Sequence, residues 1–357
     1  MTTWHCLSVK PEELRLDTTL NCGQSFRWVN TGDNQWTSVL SGRIITLRQT
    51  DDDILYRTPD DNVGHVEEVL RDYFQLDVDL GELYKQWRTD ANFEKKAGRF
   101  MGIRILRQDP VENLFTFICT SNNNIQRITT MVNKLCQHYG TEIGTIYEVS
   151  KPFYTFPTVA RLAHEDVENE LRQLGFGYRA KYISQTARYI MEHHDETWLR
   201  GLRNLPYEEC REELLKLAGV GPKVADCVCL MSMDKPGAIP VDTHVWQIAK
   251  RDYKLSGLAS KTLTQKNYLV IGDRFRTIFG THAGWAHSVL FTADLRQFEH
   301  RLISSEETKS NVVLEGTKRE VSQARRPKKT AGVTVFDRYP RRKRQILEGK
   351  HGIVEKK

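Results

Sequence analysis

Short segments of apolar and β-branched residues, separated by Gly, Asp and Asn turn residues, occupy the first sixty residues, as expected of antiparallel strands. They predict strands at residues 25–29, 36–40, 43–48 and 54–57. Ser41 and Gly42 separate the middle two segments by two residues, which is the spacing of a tight hairpin. The N-terminal part of the chain is therefore predicted to be a small antiparallel sheet.

Beyond about residue 64 the apolar spacing becomes helical. Asp109, Pro110 and Glu112 form a helix start, with Asp as the N-cap, Pro in the first turn and Glu at the third position. One apolar stripe follows at Ile125, Ile128, Val132 and Leu135. Further helices are predicted at residues 166–174, 180–193, 207–217, 223–232, 244–252, 266–279 and 283–294.

These elements predict an α+β fold, in which a small N-terminal antiparallel β-sheet domain precedes a mostly helical body. We expect an N-terminal domain at residues 1–97 and a helical domain at 98–300, with a helical hairpin at 207–232. Residues 301–357 lack a sustained apolar period and are expected to form a basic, disordered tail.

Composition and charge narrow the class of protein. Hydrophobic residues make up 39% of the chain, which excludes a fully disordered protein. No apolar stretch approaches the roughly 18 residues of a membrane span, and the first residues resemble neither a secretory signal nor a transit peptide. Residues 309–357 hold 15 basic and 5 acidic residues, so the remainder has a net charge of −4. A nucleic-acid site in the body must therefore depend on a few well-placed cations.

The two basic clusters of the tail, residues 325–329 and 341–344, suit nuclear import. Non-specific binding to nucleic acid, or solubility alone, explains them equally well. The seven cysteines are an odd number at irregular spacing, which favours reduced thiols inside a cell. No cysteine follows Cys229, so the spacing excludes a four-cysteine zinc or iron–sulfur site in the C-terminal half.

The segment from Tyr207 to Tyr253 carries most of the candidate chemistry. Gly219 and Gly221 lie between two predicted helices, where a tight turn would leave backbone amides at the second helix N-terminus free to bind a phosphate. Such a contact positions a duplex without reading its sequence. A plain corner between two helices is the alternative.

Lys223 and Asp242 are the candidate reactive groups. Lys223 lies in the first turn of a helix, where the dipole disfavours a cation, and a partly desolvated amine there becomes a nucleophile. The alternative is a solvated or phosphate-binding lysine. Asp242 precedes a helix and is a natural N-cap, and a capped, ionised carboxylate can also stabilise positive charge.

Several motifs together resemble a known family. They are LAGVGPKVADC at 217–227, PVDTH at 240–244, GQSFRW at 23–28, SNNNI at 121–125, GYRA at 177–180 and AGWA at 283–286. The run is similar to the helix-hairpin-helix DNA glycosylases, and the set is similar to 8-oxoguanine DNA glycosylases of the eukaryotic type. The resemblance spans residues 8 to 297 and leaves the tail uncovered.

The resemblance implies a bifunctional enzyme that excises 8-oxoguanine opposite cytosine. Ring-opened purines are a further substrate class that it suggests. Lys223 would attack the sugar C1′ and displace the base, and the resulting Schiff base would permit β-elimination. Asp242 would support the oxocarbenium-like transition state. The base would be flipped out of the stack.

The resemblance also implies a pocket for the flipped base. Cys227 and Phe291 would face its two sides, with Pro240 beside it, and a Lys223–Cys227 ammonium–thiolate pair would present a dipole. The Gly23 carbonyl would accept the N7 hydrogen that 8-oxoguanine has and guanine lacks. His287 stands where the family usually has a glutamine reading the Watson–Crick edge, so pH dependence or an altered lesion range is expected. A core cysteine and a strand-entry glycine are the alternatives for Cys227 and Gly23.

The remaining implied contacts are with DNA. Asn122 would fill the vacated space, Tyr178 would wedge beside the orphaned cytosine, and Arg127 and Arg179 would read it. Gly219, Gly221 and His244 would contact phosphates. A helix-capping cluster at Asn122–Asn124 and a solvated helix face at Arg127 are the alternatives.

Double-stranded DNA is the expected partner, and the protein is expected to be monomeric, nuclear, and free of a cofactor or catalytic metal. Two other functions stay open: a helix-hairpin-helix glycosylase for a different lesion, and a non-catalytic DNA-binding module. An interaction protein acting through its tail is a further alternative.

Overall fold

The computed structural model describes residues 3–59, 63–195, 197–255 and 263–302. The chain divides into one unit at Met1–Ile303 and a second at Ser304–Lys357, and only the first contains described residues. The second unit lies outside the described residues, as do both basic clusters and almost all of the predicted tail, so the disorder expected there stays a prediction.

The first unit contains a five-stranded antiparallel sheet of order β1-β5-β4-β3-β2. Its strands are β1 (His5–Cys6), β2 (Val29–Gly32), β3 (Gln35–Leu40), β4 (Arg43–Gln49) and β5 (Ile54–Arg57). The predicted hairpin is confirmed, because Leu40 pairs with Arg43 across the two-residue turn. The N-terminal sheet and helical body confirm the predicted fold class.

The prediction of a strand at residues 25–29 is wrong, because β2 begins only at Val29. The backbone before it is bound by distant side chains instead of a neighbouring strand. The Gln24 carbonyl accepts a hydrogen bond of 2.9 Å from Gln108 Nε2. The short β1, which pairs with β5, was not predicted, since two residues carry no periodic signal.

Fifteen α-helices occur in the described residues. They are α1 (Leu16–Thr19), α2 (Val66–Tyr73), α3 (Leu80–Trp87), α4 (Ala91–Ala97), α5 (Pro110–Cys119), α6 (Ile125–Tyr139), α7 (Val159–Leu162), α8 (Val167–Gln173), α9 (Arg179–His193), α10 (Trp198–Gly201), α11 (Tyr207–Leu215), α12 (Pro222–Ser232), α13 (Thr243–Arg251), α14 (Gln265–Phe279) and α15 (Ala283–Asp294). Short 3₁₀ helices lie at Leu202–Asn204, Gly280–His282 and Arg296–Arg301. The seven helices predicted between residues 166 and 294 all occur, with bounds within two residues of those expected.

Local capping chemistry explains where several helices begin. The Asp109 carboxylate accepts from the amides of Val111 and Glu112 at 2.9 and 3.2 Å, which confirms the predicted start of α5. The predicted apolar stripe of α6 is buried except at its first residue, Ile125, which is 41% exposed. A first-turn residue extends beyond the packed part of the helix, so its place in the stripe does not bury it.

A second sheet, which the sequence pattern did not reveal, joins α6 to α7. It consists of β6 (Glu142–Ile146) and β7 (Val149–Tyr154), and its pairing is irregular around Gly144. The irregular register breaks the alternation that would have predicted it. Arg27, which donates to the Tyr154 carbonyl and to Glu112, ties this hairpin to α5.

Two hydrophobic clusters hold the described unit together. One packs the first sheet against α1 and α2, and the larger one packs the helices from α3 to α15. Arg104 bridges the segments around them, since its guanidinium donates to the Phe74 carbonyl at 2.8 Å and to Glu13 at 3.0 Å. The domain boundary at residue 97 stays a prediction. None of the described helices is long and apolar enough to cross a bilayer.

Candidate active site

A cavity of about 50 Å³ collects residues from both ends of the described chain. All seven residues that the sequence placed in catalytic or base-binding roles line it: Gly23, Lys223, Cys227, Pro240, Asp242, His287 and Phe291. They come from the segment before β2, from α12, from the segment before α13, and from α15. Because the cavity unites residues more than 200 positions apart, their grouping is a tertiary property.

The α11–α12 hairpin sets the position of Lys223. Gly221 is the N-cap residue of α12, no side chain caps this helix, and Lys223 is its second residue. The side chain is partly buried, and its Nζ lies 5.0 Å from the centroid of the Phe117 ring. The ring face attracts an ammonium group, so Phe117 holds the amine inside the cavity rather than in bulk solvent.

Asp242 is the N-cap of α13, as predicted, and also lines the cavity. Its Oδ1 accepts from the Val245 amide at 2.9 Å, at the start of α13. The amine of Lys223 and the carboxylate of Asp242 both act electrostatically on Cys227 and on His287. A potential nucleophile and a carboxylate therefore share one confined space, which is the arrangement that covalent catalysis with charge stabilisation requires.

The expected thiolate–ammonium pair is not supported in this structure. Burial raises the pKa of the Cys227 thiol to about 11, although the neighbouring Lys223 opposes the shift. At neutral pH the group is therefore a neutral thiol. Cys227 does lie in the cavity one helical turn after Lys223, so a contact with a bound base stays a prediction.

His287 is buried and unpaired. It is 5% exposed, and neither ring nitrogen has a hydrogen-bond partner among the described residues. Burial lowers the pKa of His287 to about 4, against the opposing effect of the Asp242 carboxylate. The ring is therefore neutral near pH 7, with one donor and one acceptor, and the pH dependence expected of it falls below the physiological range.

Gly23 lies in the cavity wall with a left-handed backbone (φ +84°), which favours glycine. The neighbouring Gln24 side chain fixes this segment. Its Nε2 donates to the Arg104 carbonyl at 2.8 Å, and its Oε1 accepts from the Leu106 amide at 3.0 Å. The wall at Gly23 is thus anchored to the chain before α5.

Six further residues line the cavity that sequence reasoning missed: Cys22, Gln24, Phe117, Met231, Ser288 and Thr292. Cys22 and Gln24 flank Gly23, so adjacency could have indicated them. Met231 lies eight residues after Lys223 on α12, and Ser288 and Thr292 lie close to His287 on α15. Phe117 carried no signal, since it lies in the middle of the almost wholly buried α5.

A second group of predicted residues gathers at the loop before α6. Tyr178 Oη donates to the Ser121 carbonyl at 2.9 Å, and the Arg179 guanidinium donates to the Asn122 carbonyl at 3.0 Å. The guanidinium also lies 4.5 Å from the Tyr178 ring centroid. Asn122 is exposed and has a left-handed backbone (φ +46°), a strained state often found at binding sites.

Arg179 is only 2% exposed, so in this structure it supports the Asn122 loop, and its role as a reader of cytosine stays a prediction. Arg127 is exposed, with Nη2 3.4 Å from the Gly175 carbonyl. Its own amide donates to the Asn124 side chain at 3.0 Å, so Asn124 of the asparagine cluster caps α6. These side chains are distributed around one loop rather than within the cavity.

Gly219 and Gly221 of the hairpin and His244 are the predicted phosphate contacts, and that role stays a prediction. Gly219 has a left-handed backbone (φ +78°), and a Cβ there would meet the Tyr182 ring at 2.6 Å. Gly221 is exposed. His244 is half exposed, and its ring packs edge-on against Phe291 with centroids 5.9 Å apart. Within the described ranges, no group of three or more His, Cys, Asp or Glu side chains could hold a metal ion.

Comparison with known proteins agrees with this geometry. Residues 6–114 match the 8-oxoguanine DNA glycosylase N-terminal domain, and residues 115–271 match the HhH-GPD superfamily of base excision DNA repair proteins. An N-glycosylase/DNA lyase of Saccharomyces cerevisiae is 40% identical over 325 residues, which cover 81% of this chain and 85% of that protein. An N-glycosylase/DNA lyase of Arabidopsis thaliana is 40% identical over 305 residues, with 82% and 80% covered.

A solved structure is similar over the same region. It is the Clostridium acetobutylicum 8-oxoguanine glycosylase/lyase in complex with double-stranded DNA containing cytosine opposite 8-oxoguanine. The two structures align with a TM-score of 0.70 and 32% identity, over 82% of this chain and 93% of that one. Sequence motifs, fold and similarity agree, and the chain belongs to the 8-oxoguanine DNA glycosylase family within the HhH-GPD superfamily of base excision DNA repair proteins.

Proposed function

We propose that this protein is a DNA glycosylase with lyase activity that removes 8-oxoguanine paired with cytosine from double-stranded DNA. The observation that carries the proposal is the shared cavity of a partly buried lysine, a capped aspartate and the five predicted base-binding residues. The names of the relatives, N-glycosylase/DNA lyase, and the DNA bound by the clostridial enzyme support the same reaction.

The reaction would proceed by nucleophilic displacement at C1′. The Lys223 amine forms a bond to C1′ as the bond between C1′ and the base breaks, and the base leaves with the electron pair and gains a proton. Asp242 stabilises the positive charge that develops on the sugar. Loss of the amine proton and ring opening yield a Schiff base, which acidifies C2′ and permits β-elimination of the 3′ phosphate.

The free amides of α12 would hold the DNA backbone during this reaction. Because no side chain caps α12, its first-turn amides and the dipole face outward for a phosphate. Gly219 allows the sharp turn, and the exposed Gly221 allows close approach. Asn122 and Tyr178 are both exposed around one loop. Asn122 would occupy the space vacated by the flipped base, and Tyr178 would wedge beside the orphaned cytosine.

The decisive experiment is trapping of a covalent adduct. Sodium borohydride is added to the protein with an 8-oxoguanine duplex, and the adduct is quantified for the wild type, Lys223→Gln and a control, Lys85→Gln. Lys85 is an exposed lysine of α3 that is paired with Glu82, so its removal matches the change of charge. We expect wild type and Lys85→Gln to form the adduct and Lys223→Gln to form none.

An adduct with Lys223→Gln at the wild-type level would refute Lys223 as the nucleophile. Binding of the lesion duplex by wild-type protein without release of the base or strand cleavage would favour the non-catalytic DNA-binding alternative. A panel of oxidised and alkylated bases opposite each of the four partners would separate 8-oxoguanine from another lesion.

The protein is further proposed to act as a monomer in the nucleus. Homologues named N-glycosylase/DNA lyase act on DNA, and the basic clusters at 325–329 and 341–344 suit nuclear import. Sedimentation of the full chain tests the first point. Imaging of the full chain beside one truncated after residue 303 tests the second, including whether a mitochondrial pool exists.

A further inference from the structure

Beside the cavity, a buried carboxylate binds three donors. Asp226 lies on α12 three residues after Lys223 and has no exposed surface. Its Oδ1 accepts from Tyr207 Oη at 2.7 Å and from Arg211 Nε at 3.0 Å, and its Oδ2 accepts from Tyr268 Oη. Burial raises the pKa of Asp226, and the three donors oppose this shift.

This network does not belong to the reaction chamber itself. Neither the carboxylate nor its three donors line the cavity. A charge buried with so little access to water is costly unless it is paired and hydrogen-bonded. A polar cluster with a high desolvation cost therefore lies on the same helix turn as the proposed nucleophile, outside the cavity.

Tyr268, from α14, makes contacts that the other donors lack. Its Oη lies 3.2 Å from the Pro222 carbonyl and 3.3 Å from the Ile239 carbonyl, and the Val241 amide lies 3.4 Å away as a donor to it. A phenol has one hydrogen, which the charged Asp226 carboxylate attracts more strongly than a carbonyl does. Burial raises the pKa of Tyr268, so the hydroxyl keeps that hydrogen.

The positions of these contacts are informative. Pro222 directly precedes the proposed nucleophile, and Val241 directly precedes the aspartate of the cavity. Because its one hydrogen goes to Asp226, the hydroxyl is tied to the helix of Lys223 through that carboxylate, and it accepts from the Val241 amide beside Asp242. Tyr207, in contrast, binds the same carboxylate from α11 and has no hydrogen bond to either backbone segment among the described residues.

We propose that Tyr268, held by Asp226, is a positioning residue that sets the separation of the Lys223 amine and the Asp242 carboxylate. The inference rests on the proposed function, because it assigns those two residues the reactive roles. Misplacement of reacting groups by about 1 Å can lower a rate by about 100-fold, so a small shift of either segment would slow the reaction.

The test compares Tyr268→Phe with Tyr207→Phe. Each change removes one hydroxyl from Asp226, but only the first removes contacts to both backbone segments. Single-turnover release of 8-oxoguanine is measured from pH 5.5 to 9, together with the melting temperature. Affinity is measured with a duplex carrying a tetrahydrofuran abasic analogue opposite cytosine.

We expect Tyr268→Phe to slow excision at least about tenfold and to shift the pH profile, with unchanged affinity for the analogue duplex. Tyr207→Phe should lower the melting temperature similarly but change the rate less than about twofold. The pH profile is the readout that a merely structural role would leave unchanged, because it reports the proton equilibria of the reacting groups.

A wild-type rate and pH profile for Tyr268→Phe, or an equal slowing by both variants, would overturn the proposal. If Tyr268→Phe does not fold, Asp226→Asn replaces it, because it removes the charge that holds the Tyr268 hydroxyl. A rate for Asp226→Asn within about twofold of that for Tyr207→Phe would then overturn the proposal, and a slower rate would support it. The Lys223→Gln variant distinguishes failure of the assigned nucleophile from failure of the positioning role. An active Lys223→Gln would refute Lys223 as the nucleophile, on which the inference rests, whereas an inactive one beside a fully active Tyr268→Phe would refute only the positioning role.

Discussion

Replacing His287 with leucine should separate stability from activity. The imidazole is 5% exposed, and both nitrogens lack partners among the described residues. Its ring lies 6.3 Å from the ring centroids of Phe275 and Phe291. The side chain thus occupies a packed position where its polarity brings no hydrogen bond in the free protein.

The magnitudes follow from this geometry. A buried polar group without a partner costs about 1–3 kcal/mol, and leucine removes that cost. Loss of the ring contacts costs about 0.5–1.5 kcal/mol in return. The free energy of unfolding of His287→Leu should therefore lie between about 0.5 kcal/mol below and about 2.5 kcal/mol above that of the wild type.

Activity should change in the opposite direction. A hydrogen bond from the imidazole to the base edge would be lost, and about 1–3 kcal/mol corresponds to a rate reduced roughly 5- to 150-fold. Urea unfolding and single-turnover excision of 8-oxoguanine measure the two effects. His287→Gln serves as the comparison, since its amide supplies both a donor and an acceptor, and it should keep most of the activity.

Two results would contradict this reasoning. A free energy of unfolding more than about 0.5 kcal/mol below that of the wild type would mean that the imidazole makes stabilising contacts in solution. An unchanged excision rate would mean that His287 does not touch the base.

Three further predictions follow from the described geometry. Folding lowers the pKa of His287 from 6.5 to about 4, so the unfolded chain binds more protons than the folded chain between these pH values. As the pH falls from 7 to 4, the wild type should therefore lose about 3 kcal/mol more free energy of unfolding than His287→Leu. Equal losses in urea unfolding would contradict this. Gly219→Ala should destabilise by more than about 2 kcal/mol, because the backbone is left-handed and the new Cβ would meet Tyr182 at 2.6 Å. Gly221→Ala is its matched control and should change thermal stability by less than about 1 kcal/mol, since its φ is −92° and nothing lies within 4 Å of the new Cβ. Asp242→Asn should keep the melting temperature, because asparagine caps a helix equally well, yet slow single-turnover excision at least about 100-fold through loss of the charge; equal rates would reduce Asp242 to a cap.

Local chemistry explains why much of the fold was predictable. Asp109 and Asp242 cap the helices that follow them, and such caps involve atoms only two or three residues apart. The turn at Ser41 and Gly42 is equally local. Where the signal was short or irregular, as in β1 and the β6–β7 sheet, sequence reasoning failed because two residues or a shifted register carry no period.

The properties of the candidate site that depend on its environment could not be predicted from the sequence. The neutral state of the Cys227 thiol and the lowered pKa of His287 both follow from burial, which depends on helices remote in the sequence. Tyr268 and Asp226 carry no functional signal in the sequence, since a tyrosine and an aspartate on helices are common. Only their meeting between α12 and α14 gives them a proposed role.

The amino-acid sequence alone determined where many of the helices and one hairpin turn begin, that the chain resembles base excision glycosylases, and which lysine and aspartate are the candidate reactive groups. Caps, turns and motifs are written in neighbouring residues, so these features need no knowledge of the fold. The tertiary structure decided that the seven predicted residues share one cavity, that Phe117 faces the amine, and which groups are buried. Proton affinity and distance depend on what packs around a group, and in this protein that packing joins α5, α12, α14 and α15 from across the chain.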